Sequence, residues 1–419
     1  MRIAVIGGGI SGLSIAQLLN NEHDVTVFET QKEAGGLIKC ERVNDCLYHK
    51  VGGHVFNSKN EEVLNWFWSF FDKEKEFVEA KRNAKIFIQN KIVGYPIENY
   101  IYQLEKKDAI NIINELLFLS KLPAKDPFTY DNFQDYLINS FGSILYENYF
   151  EPYNRKIWQT DLSSVSMEWL EGKLPMPSLN EIVLNNIFRE EETKMVHSMF
   201  YYPRYNGSQF IANKLRKDLN VNLSLHIDKI TSQDNQIILN DSLYFDKVIY
   251  TGDVRKLFTM AVEILEENSI DISAILSLKS NGTSTIFCET DDTDISWLYI
   301  PESFTKAHRI IYTGNFSNSN NNGSLKKTCV VEFSGYLSYD EMKSEIIKLP
   351  GNLNPISHNY EPNSYVIQTK VTKSLMDMIK GKLSSKGIYL LGRFSEWEYY
   401  NMDKAIEAAL RLKKQLNTE

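Results

Sequence analysis

A glycine-rich turn near the start of the sequence has the residue types and spacing of a dinucleotide-binding loop. Gly7, Gly9 and Gly12 form a G-x-G-x-x-G pattern, and Glu29 closes the next strand-like run. In such a loop the first glycine permits a tight turn, the second lets the backbone approach a pyrophosphate, and the third allows close packing of helix on strand. The acidic residue can accept hydrogen bonds from a ribose. The predicted chemistry is dinucleotide binding, with NAD and FAD both open at this point.

Hydrophobic runs around this loop predict the elements that position it. Arg2 to Ile6 and Asp24 to Phe28 are β-branched runs typical of strands, and Ser11 to Asn20 carries apolar residues at helical spacing. The order is strand, glycine turn, helix, strand, which opens a doubly wound domain. Because every part of the motif has its expected neighbour, dinucleotide binding is favoured over an incidental turn.

The remaining chain divides into a helical region and two β-rich regions. From about Asp108 to Asn186 the apolar spacing is helical, whereas short alternating runs between Val221 and Val254 predict strands that return toward the first sheet. In the β-rich stretch that follows, Asn315 to Ser324 is predicted to be a loop. The last helix is predicted from about Met402 to Leu416, after a strand from Gly387 to Leu391.

The composition excludes several classes of function. The 46 Lys and Arg residues against 54 Asp and Glu residues give a net charge of −8, which offers no attraction to nucleic acid or to anionic membrane surfaces. No apolar run reaches the roughly 20 residues of a bilayer span and the opening MRIAVIGGG does not resemble a secretory signal, so we expect a cytoplasmic protein without membrane insertion. The cysteines form no C-x-x-C or Cys/His cluster, which predicts neither disulfides nor a metal site: Cys40, Cys46, Cys288 and Cys329.

Two further segments resemble flavin-binding signatures. The pair Gly35 and Gly36 in EAGGLIKC resembles the second glycine signature of the FAD-dependent amine-oxidase-like superfamily, and LLGRFSEWEYYNMDKAIEAAL resembles its final flavin-contacting segment. The helix predicted to begin near Met402 would direct its N-terminus at a flavin or its pyrophosphate. The resemblance therefore implies FAD, where the glycine loop alone leaves NAD open.

Five segments, in the family's order across nearly the whole chain, resemble the UDP-galactopyranose mutases. VGGHVFNSKN is similar to the histidine loop, YFEPYNRKIW to the nucleotide-binding helix, WLEGKLPMPSLNEIV to the mobile loop, SWLYIPESFTKAHRIIY to a substrate-facing strand pair and GRFSEWEYYNMD to the flavin and diphosphate segment. The resemblance implies an isomerase that interconverts pyranose and furanose forms of a nucleotide-linked hexose, for cell-surface polysaccharide biosynthesis. In the family reaction N5 of reduced FAD attacks the anomeric carbon and forms a sugar adduct as the nucleoside diphosphate leaves. A UDP-hexose is the expected substrate, NAD(P)H the expected external reductant, and a homo-oligomer is left open.

The implied fold class is α/β, with a Rossmann-like FAD-binding domain, an inserted helical subdomain and an antiparallel β-sheet subdomain. The FAD-binding domain is expected to be discontinuous, because strands that fit it occur at both ends of the chain. The expected boundaries are residues 1–80 with 203–255 and 380–419 for the FAD-binding domain, 102–202 for the helical nucleotide-binding subdomain with its mobile loop near 170–178, and 81–101 with 256–379 for the β-sheet substrate subdomain.

The resemblance also implies site residues, matched position by position. The implied catalytic residues are His54 beside the flavin, Arg309 in the strand pair and Lys173 in the mobile loop, with no metal. The residues implied to bind the cofactor are Gly7, Gly9, Ser11, Gly12, Glu29, Gly36, Leu37, Gly53, Gly392, Arg393, Met402 and Asp403. The residues implied to bind the nucleotide sugar are Tyr149, Phe150, Tyr153, Asn154, Trp158, Tyr299, Tyr365 and Tyr399.

One position departs from the family pattern. Lys173 stands where the family has a loop arginine, and an ammonium group cannot reproduce the planar two-donor contact of a guanidinium. The expected consequence is weaker activity on UDP-galactose or a different natural donor. Arg204 in YYPRYNG resembles a pocket-edge position less clearly.

Two other functions stay open from the sequence. A flavin-dependent oxidase or desaturase of the same superfamily would accept hydride from an amine, a porphyrinogen or a carotenoid, and its pocket should be apolar. A non-enzymatic escort-type binding protein on a related fold would need no flavin. Arg, Lys and Tyr at the matched positions favour the mutase over the oxidase or desaturase, and FAD released from the purified protein on denaturation would exclude the escort-type protein.

Overall fold

The computed structural model describes residues 1–123, 125–167, 177–190, 198–267, 270–322, 324 and 326–418. Its strands are β1 (Arg2–Ile6), β2 (Asp24–Glu29), β3 (Cys40–Val43), β4 (Cys46–His49), β5 (Phe77–Lys81), β6 (Ala84–Ile88), β7 (Lys91–Gly94), β8 (Met199–Pro203), β9 (Asn220–Leu223), β10 (Ile230–Gln233), β11 (Gln236–Leu239), β12 (Leu243–Phe245), β13 (Lys247–Tyr250), β14 (Ser280–Thr290), β15 (Trp297–Tyr299), β16 (Arg309–Ile311), β17 (Lys327–Ser334), β18 (Asn354–Val366) and β19 (Ile388–Leu390). Its α-helices are α1 (Ile10–Leu19), α2 (Glu61–Phe70), α3 (Lys73–Glu76), α4 (Lys106–Leu119), α5 (Phe133–Phe141), α6 (Ser143–Leu145), α7 (Glu151–Trp158), α8 (Leu179–Phe188), α9 (Gln209–Arg216), α10 (Val254–Met260), α11 (Val262–Glu267), α12 (Ile272–Leu276), α13 (Tyr339–Ile346), α14 (Thr372–Ser384) and α15 (Met402–Leu416).

A parallel five-stranded sheet carries the glycine loop. Its order is β19-β13-β1-β2-β9, so β1 lies in the middle. Side chains alternate between the two faces along β1. Ile3 and Val5 pack toward α1 and α15, whereas Ala4 packs with buried residues of α10, α14 and the small sheet β10-β11-β12. Both faces are therefore covered, which explains the nearly continuous apolar run of β1.

The second large sheet has seven strands and carries Tyr299 and Arg309. Its order is β18-β14-β17-β16-β15-β6-β7, and most neighbouring strands are antiparallel. Strand β6 pairs with β15 in parallel, so the predicted antiparallel sheet is in fact mixed. The reason is the chain path, because β6 and β15 are joined by a long connection that includes the helical region, and such a crossover allows parallel pairing.

The helices from α4 to α8 pack on this sheet through one apolar cluster. Ile112 and Leu116 of α4 and Phe133 and Leu137 of α5 are buried with sheet residues such as Trp297. A π-helical turn at Tyr146–Phe150 leads directly into α7. The cluster therefore fixes α7 against the strands that carry Tyr299 and Arg309.

The structure confirms the α/β fold class and corrects some local expectations. The strand predicted around Val221 ends at Leu223, because Ser224 is left-handed with φ of 55° and Leu225 turns to donate its N–H to the Glu29 carbonyl. The ribbon formed by β5 and β8 was not predicted. The domain boundaries given above stay a prediction. Among the described residues, no helix combines the length and apolarity that a bilayer span requires.

We predict opposite effects of alanine at two helix glycines. At Gly12 a Cβ would lie 1.9 Å from the Gly7 carbonyl oxygen. Gly12→Ala should therefore lower the free energy of unfolding by at least about 2 kcal/mol, because backbone has to move. At Gly381, in α14, a Cβ would meet no atom within 4 Å. Gly381→Ala should raise the free energy of unfolding by about 0.5–1 kcal/mol.

Urea unfolding of the two variants beside the original protein measures both effects. An unchanged unfolding midpoint for Gly12→Ala would show that the close contact between the glycine turn and α1 does not constrain the fold.

Candidate active site

A cavity of about 280 Å³ opens between the glycine loop's end of the parallel sheet and the seven-stranded sheet. Its wall combines guanidinium groups, phenols and glycine backbone, contributed by segments far apart in the chain. The lining residues are Leu37, Val51, Gly52, Gly53, His54, Val55, Arg82, Tyr95, Trp297, Tyr299, Arg309, Ser364, Tyr365, Arg393, Tyr399, Asn401 and Met402.

The glycine loop has the close backbone approaches that its motif predicts. Gly7 has φ of +113°, and its N–H donates to the Phe28 carbonyl at 2.8 Å. Gly9 and Gly36 face each other, since a Cβ on Gly36 would lie 3.1 Å from the Gly9 Cα. The two glycine segments therefore form one backbone-lined groove at the start of α1, where side chains would obstruct a pyrophosphate.

The Glu29 carboxylate is buried beside this groove and already has backbone partners. One oxygen accepts from the Gly8 N–H at 2.8 Å, and the other accepts from the Gln31 N–H at 2.8 Å. These bonds hold the loop in shape. A carboxylate retains further acceptor positions, so ribose binding by Glu29 stays a prediction.

Segments from the end of the chain complete the groove. Gly392 has φ of +101°, and a Cβ there would lie 2.7 Å from Ser11 Oγ of α1. Helix α15 begins at Met402, and Asn401 before it makes no side-chain cap among the described residues. Both Asn401 and Met402 line the cavity, so the free N–H groups of this helix end lie at its edge.

These features fit a dinucleotide cofactor that runs from the groove to the cavity. A Cβ at Gly36 or at Gly392 would fill the narrow space of the groove. Leu37, next to Gly36, lines the cavity. Gly53 has the same requirement on the cavity wall, because a Cβ there would lie 2.9 Å from Trp297 Nε1. The individual cofactor assignments stay predictions.

His54 lies at the cavity beside a second histidine. Its backbone N–H donates to His49 Nδ1 at 3.3 Å, and His49 Nε2 lies 2.8 Å from the Tyr202 hydroxyl. Burial, together with the Arg393 charge, lowers the pKa of His54 to about 4, so its imidazole is neutral at neutral pH. Among the described residues His54 Nε2 has no hydrogen-bond partner, although it is buried. This nitrogen is therefore available to a bound molecule.

A fully buried carboxylate, Glu332 on β17, organises the wall around Arg309. Oε1 accepts from the Gly52 N–H at 2.6 Å, and Oε2 accepts from Arg309 Nε and lies 3.4 Å from His308 Nε2. Burial alone would raise the pKa of Glu332, but the Arg309 charge and the hydrogen bonds from His308 and Arg309 outweigh it and hold that pKa far below its ordinary value. The carboxylate is therefore charged and joins the loop that carries His54 to the strand that carries Arg309.

Arg309 connects this carboxylate to the predicted substrate phenols. Its Nη2 donates to the Tyr365 hydroxyl at 3.0 Å. The Tyr365 ring stacks on Tyr399 with centroids 5.8 Å apart, and Trp158 meets both rings edge-on. Arg393 lies over the Tyr399 ring at 4.8 Å. The structure therefore brings these predicted residues from four separate segments into one cluster.

The predicted nucleotide-binding residues of the π-helical turn and α7 lie behind the cavity wall. Tyr149 and Tyr153 stack at 6.0 Å, and Tyr153 packs edge-on against Tyr299 at 5.5 Å. The Asn154 amide donates to the Phe150 carbonyl of its own helix at 2.7 Å. Among the described residues, the predicted positions of the π-helical turn and of α7 do not line the cavity. Their contact with a nucleotide stays a prediction.

Two other predicted positions are not part of the cavity lining, and a third lies outside the described residues. Lys173 and most of the predicted mobile loop lie outside the described residues. Arg204 donates to the Glu74 carbonyl at 3.0 Å on the β5-β8 ribbon, away from the cavity. Asp403 is buried in the first turn of α15, and among the described residues its Oδ1 has no hydrogen-bond partner.

Sequence analysis missed several residues that the structure places at the site. Arg82, Tyr95 and Trp297 line the cavity, and Glu332 stands behind it. Arg82 and Glu332 lie in ordinary strand-like runs, FVEAKRNA and TCVVEFSG. The one available signal is the charge of Glu332 inside an otherwise apolar strand, because such a charge requires a buried partner.

Comparisons with known proteins agree with this geometry. A model of the NAD(P)-binding Rossmann-like domain family matches residues 5–73. A UDP-galactopyranose mutase from Mycoplasma genitalium is 23% identical over 441 aligned residues, which cover 99% of this chain and 94% of the relative. A dTDP-fucopyranose mutase from Escherichia coli is 20% identical over 72% of this chain and 76% of the relative. A crystal structure of reduced UDP-galactopyranose mutase matches with a TM-score of 0.87 at 20% identity, covering 100% of this chain and 94% of that one.

The chain is similar along nearly its whole length to UDP-galactopyranose mutases. These findings confirm the predicted resemblance, the α/β fold class and the assignment to the isomerases. The Rossmann-like match and the mutase relatives together indicate a flavin cofactor.

We expect Glu332→Gln to destabilise this protein strongly. The amide removes the charge that balances Arg309, and breaking a buried ion pair costs about 3–5 kcal/mol. Because the folded pKa is held far below its ordinary value of 4.5, this stabilisation is complete at neutral pH, begins to decrease below pH 4.5 and is lost only as the pH falls through the folded pKa. The effect of the substitution should therefore be only slightly smaller at pH 4 than at pH 7. Urea unfolding at pH 7 and at pH 4 measures the difference between variant and original protein.

A matched control for that experiment is Glu62→Gln. Glu62 pairs with Lys414 at 2.8 Å on the surface, and both side chains are about half exposed or more. This exchange should change the free energy of unfolding by less than about 1 kcal/mol. Equal effects of the two substitutions would contradict the organising role of Glu332.

We expect Asp403→Asn to change the pH dependence of stability in the cofactor-free protein. Burial raises the pKa of Asp403 from 3.8 to about 6. A raised folded pKa means that the stability from this group is full below pH 3.8 and is lost as the pH rises through about 6. The asparagine variant should therefore be up to about 3 kcal/mol more stable than the original protein at pH 7.5 and equal to it near pH 4. Urea unfolding across this range tests it, with Asp377→Asn on the exposed face of α14 as control.

Proposed function

We propose that this protein is an FAD-dependent mutase that interconverts the pyranose and furanose forms of a nucleotide-linked hexose, with UDP-galactose as the first donor to test. One observation carries the proposal. Three guanidinium groups and four phenols line a single cavity that adjoins the glycine-lined groove, in a chain similar along nearly its whole length to a UDP-galactopyranose mutase. The lining cations are Arg82, Arg309 and Arg393, and the phenols at the predicted substrate positions are Tyr299, Tyr365 and Tyr399.

The charge balance of the cavity favours an anionic substrate. Glu332 neutralises Arg309, whereas Arg82 and Arg393 have no carboxylate within 4.0 Å among the described residues. A nucleoside diphosphate that leaves an anomeric carbon gains negative charge on its oxygens. Preorganised guanidinium and phenol donors in a partly closed cavity stabilise that charge as it develops.

The flavin environment supports the same reaction. When bound, reduced FAD supplies an electron-rich nitrogen nucleophile for the anomeric carbon, which is chemistry that side chains do not provide. Arg393 is anchored by donating to the carbonyls of Ser364 and Tyr400, so its positive charge is fixed at the cavity. A fixed cation and the N-terminus of α15 both favour an electron-rich ring beside them.

The loop from Gly52 to His54 contributes a polar side chain, the His54 imidazole, to the cavity lining. The buried Nε2 of the neutral imidazole has no hydrogen-bond partner among the described residues, and Gly52 and Gly53 precede His54 in the chain. The Gly52 N–H is held by Glu332. His54 can therefore donate or accept one hydrogen bond from a bound molecule, depending on its tautomer.

The remaining parts of the proposal concern positions beyond the cavity. Tyr149, Tyr153 and Trp158 are proposed to contribute to nucleotide binding, since aromatic faces suit a base. Lys173 is proposed to approach the diphosphate from the loop. The polysaccharide role, the cytoplasmic location and NAD(P)H as reductant belong to the same proposal.

The oxidase alternative fits the cavity less well. An amine or polyene substrate would leave three guanidinium groups facing an apolar or cationic molecule, which costs desolvation without compensation. An escort-type binding protein would not require the glycine cradles at Gly36 and Gly392.

The decisive experiment assays the dithionite-reduced and the oxidised protein with a panel of UDP-, dTDP- and GDP-hexoses. Pyranose and furanose forms are separated by chromatography, and dTDP-fucopyranose is included because one relative is named for it. We expect conversion of at least one donor by the reduced protein and little by the oxidised protein. Oxygen consumption with amines or polyenes, without sugar conversion, would instead establish the oxidase.

A substitution series tests the proposed use of Arg309. Arg309→Lys keeps the charge but cannot bridge Glu332 and Tyr365, so turnover should fall at least about tenfold. Arg411→Lys, on the exposed face of α15, should leave turnover unchanged. Equal turnover in all three proteins would remove Arg309 from the reaction.

A further inference from the structure

Arg82 differs from the other cavity arginines in what holds it. It follows β5 and lines the cavity, but it lies outside the sequence segments that resemble known motifs. Its backbone N–H donates to the Ser198 carbonyl at 2.8 Å, which fixes the chain at this point. Aromatic faces surround the guanidinium, with its carbon 5.3 Å from the Tyr95 ring centre, 5.0 Å from Trp297 and 6.0 Å from Tyr299.

The donors of the three arginines are satisfied to different degrees. Arg309 donates to Glu332 and Tyr365, and Arg393 donates to two backbone carbonyls. Arg82 donates from Nη2 to the Tyr299 hydroxyl, and its Nε is buried without a hydrogen-bond partner among the described residues. A guanidinium has several N–H donors in a planar fork, and buried donors normally have acceptors. Arg82 therefore has donors to spare at the cavity.

The Arg82–Tyr299 contact repeats the arrangement of Arg309 with Tyr365. In each pair the guanidinium donates to the phenol oxygen, so the phenol proton remains free for another acceptor. Each pair thus presents a positive charge and a directed O–H to the same cavity. This combination suits an anionic oxygen, which accepts from both.

We propose that Arg82 and Tyr299 form a second anion-binding pair that binds an anionic oxygen of the nucleotide sugar. The identity of the ligand as a nucleotide sugar rests on the function proposed above. The anionic oxygen comes from the diphosphate or from a carboxylate on the sugar, because both offer anionic oxygens that accept hydrogen bonds from a guanidinium. Arg82 is held by its backbone hydrogen bond to Ser198 and by aromatic packing, so the pair is preorganised at the cavity.

Equilibrium binding tests the pair without requiring turnover. UDP, UDP-galactose and UDP-galacturonate are titrated into the original protein, Arg82→Gln, Arg82→Lys and Tyr299→Phe by isothermal calorimetry. Arg411→Gln is the matched control, because its guanidinium is on the surface with a side chain 66% exposed. Unfolding curves show which variants remain folded, and Tyr299→Phe keeps the ring if Arg82→Gln does not fold.

The three ligands separate the sources of the anionic oxygen. We expect Arg82→Gln to weaken UDP binding by about 10-fold or more, the scale of a lost hydrogen bond to a charged group. Arg82→Lys should recover part of this loss, and Arg411→Gln should bind like the original protein. Weakened binding of UDP-galacturonate alone would assign the pair to a sugar carboxylate.

The proposal and the function on which it rests fail in different ways. Unchanged binding of all three ligands by folded Arg82→Gln and Tyr299→Phe would overturn the second anion-binding pair while leaving the mutase proposal intact. Absence of nucleotide binding by the original protein would count against the proposed function itself.

Discussion

The buried charge of Glu332 is the interaction on which the cavity wall depends. A carboxylate in the interior of a sheet is tolerated only when every lone pair meets a donor or a positive charge. Here the donors come from the neighbouring strand, through Arg309, and from the backbone of the Gly52 loop. One side chain therefore sets the orientation of a guanidinium and the position of the loop that carries His54.

Close backbone contacts supply the complementary constraint on the other side of the cavity. The glycine turn, the Gly36 segment and Gly392 approach one another at distances that exclude a Cβ. These contacts join the first helix to the segment before the last one. The groove is thus a product of small residues at a few positions, whereas the cavity wall is a product of paired charges and stacked phenols.

The sequence predicts the groove better than the wall, and the reason is physical. The glycine loop, β1, α1 and α15 are specified by local spacing, so their positions follow from short stretches of sequence. Arg82, Trp297 and Glu332 obtain their roles from strand pairing between distant segments, which local patterns do not encode. The parallel pairing of β6 with β15 is the clearest example, because it brings Arg82 near Tyr299 although more than half of the chain separates them.

The parallel sheet joins strands from the beginning of the chain to β19, which precedes α15. During translation the first strands and the glycine turn leave the ribosome long before Arg393, Tyr399 and the start of α15 exist. The early segments therefore have to remain able to accept a late partner, and the groove and the cavity can be completed only after the segment from Gly392 to Met402 has been synthesised.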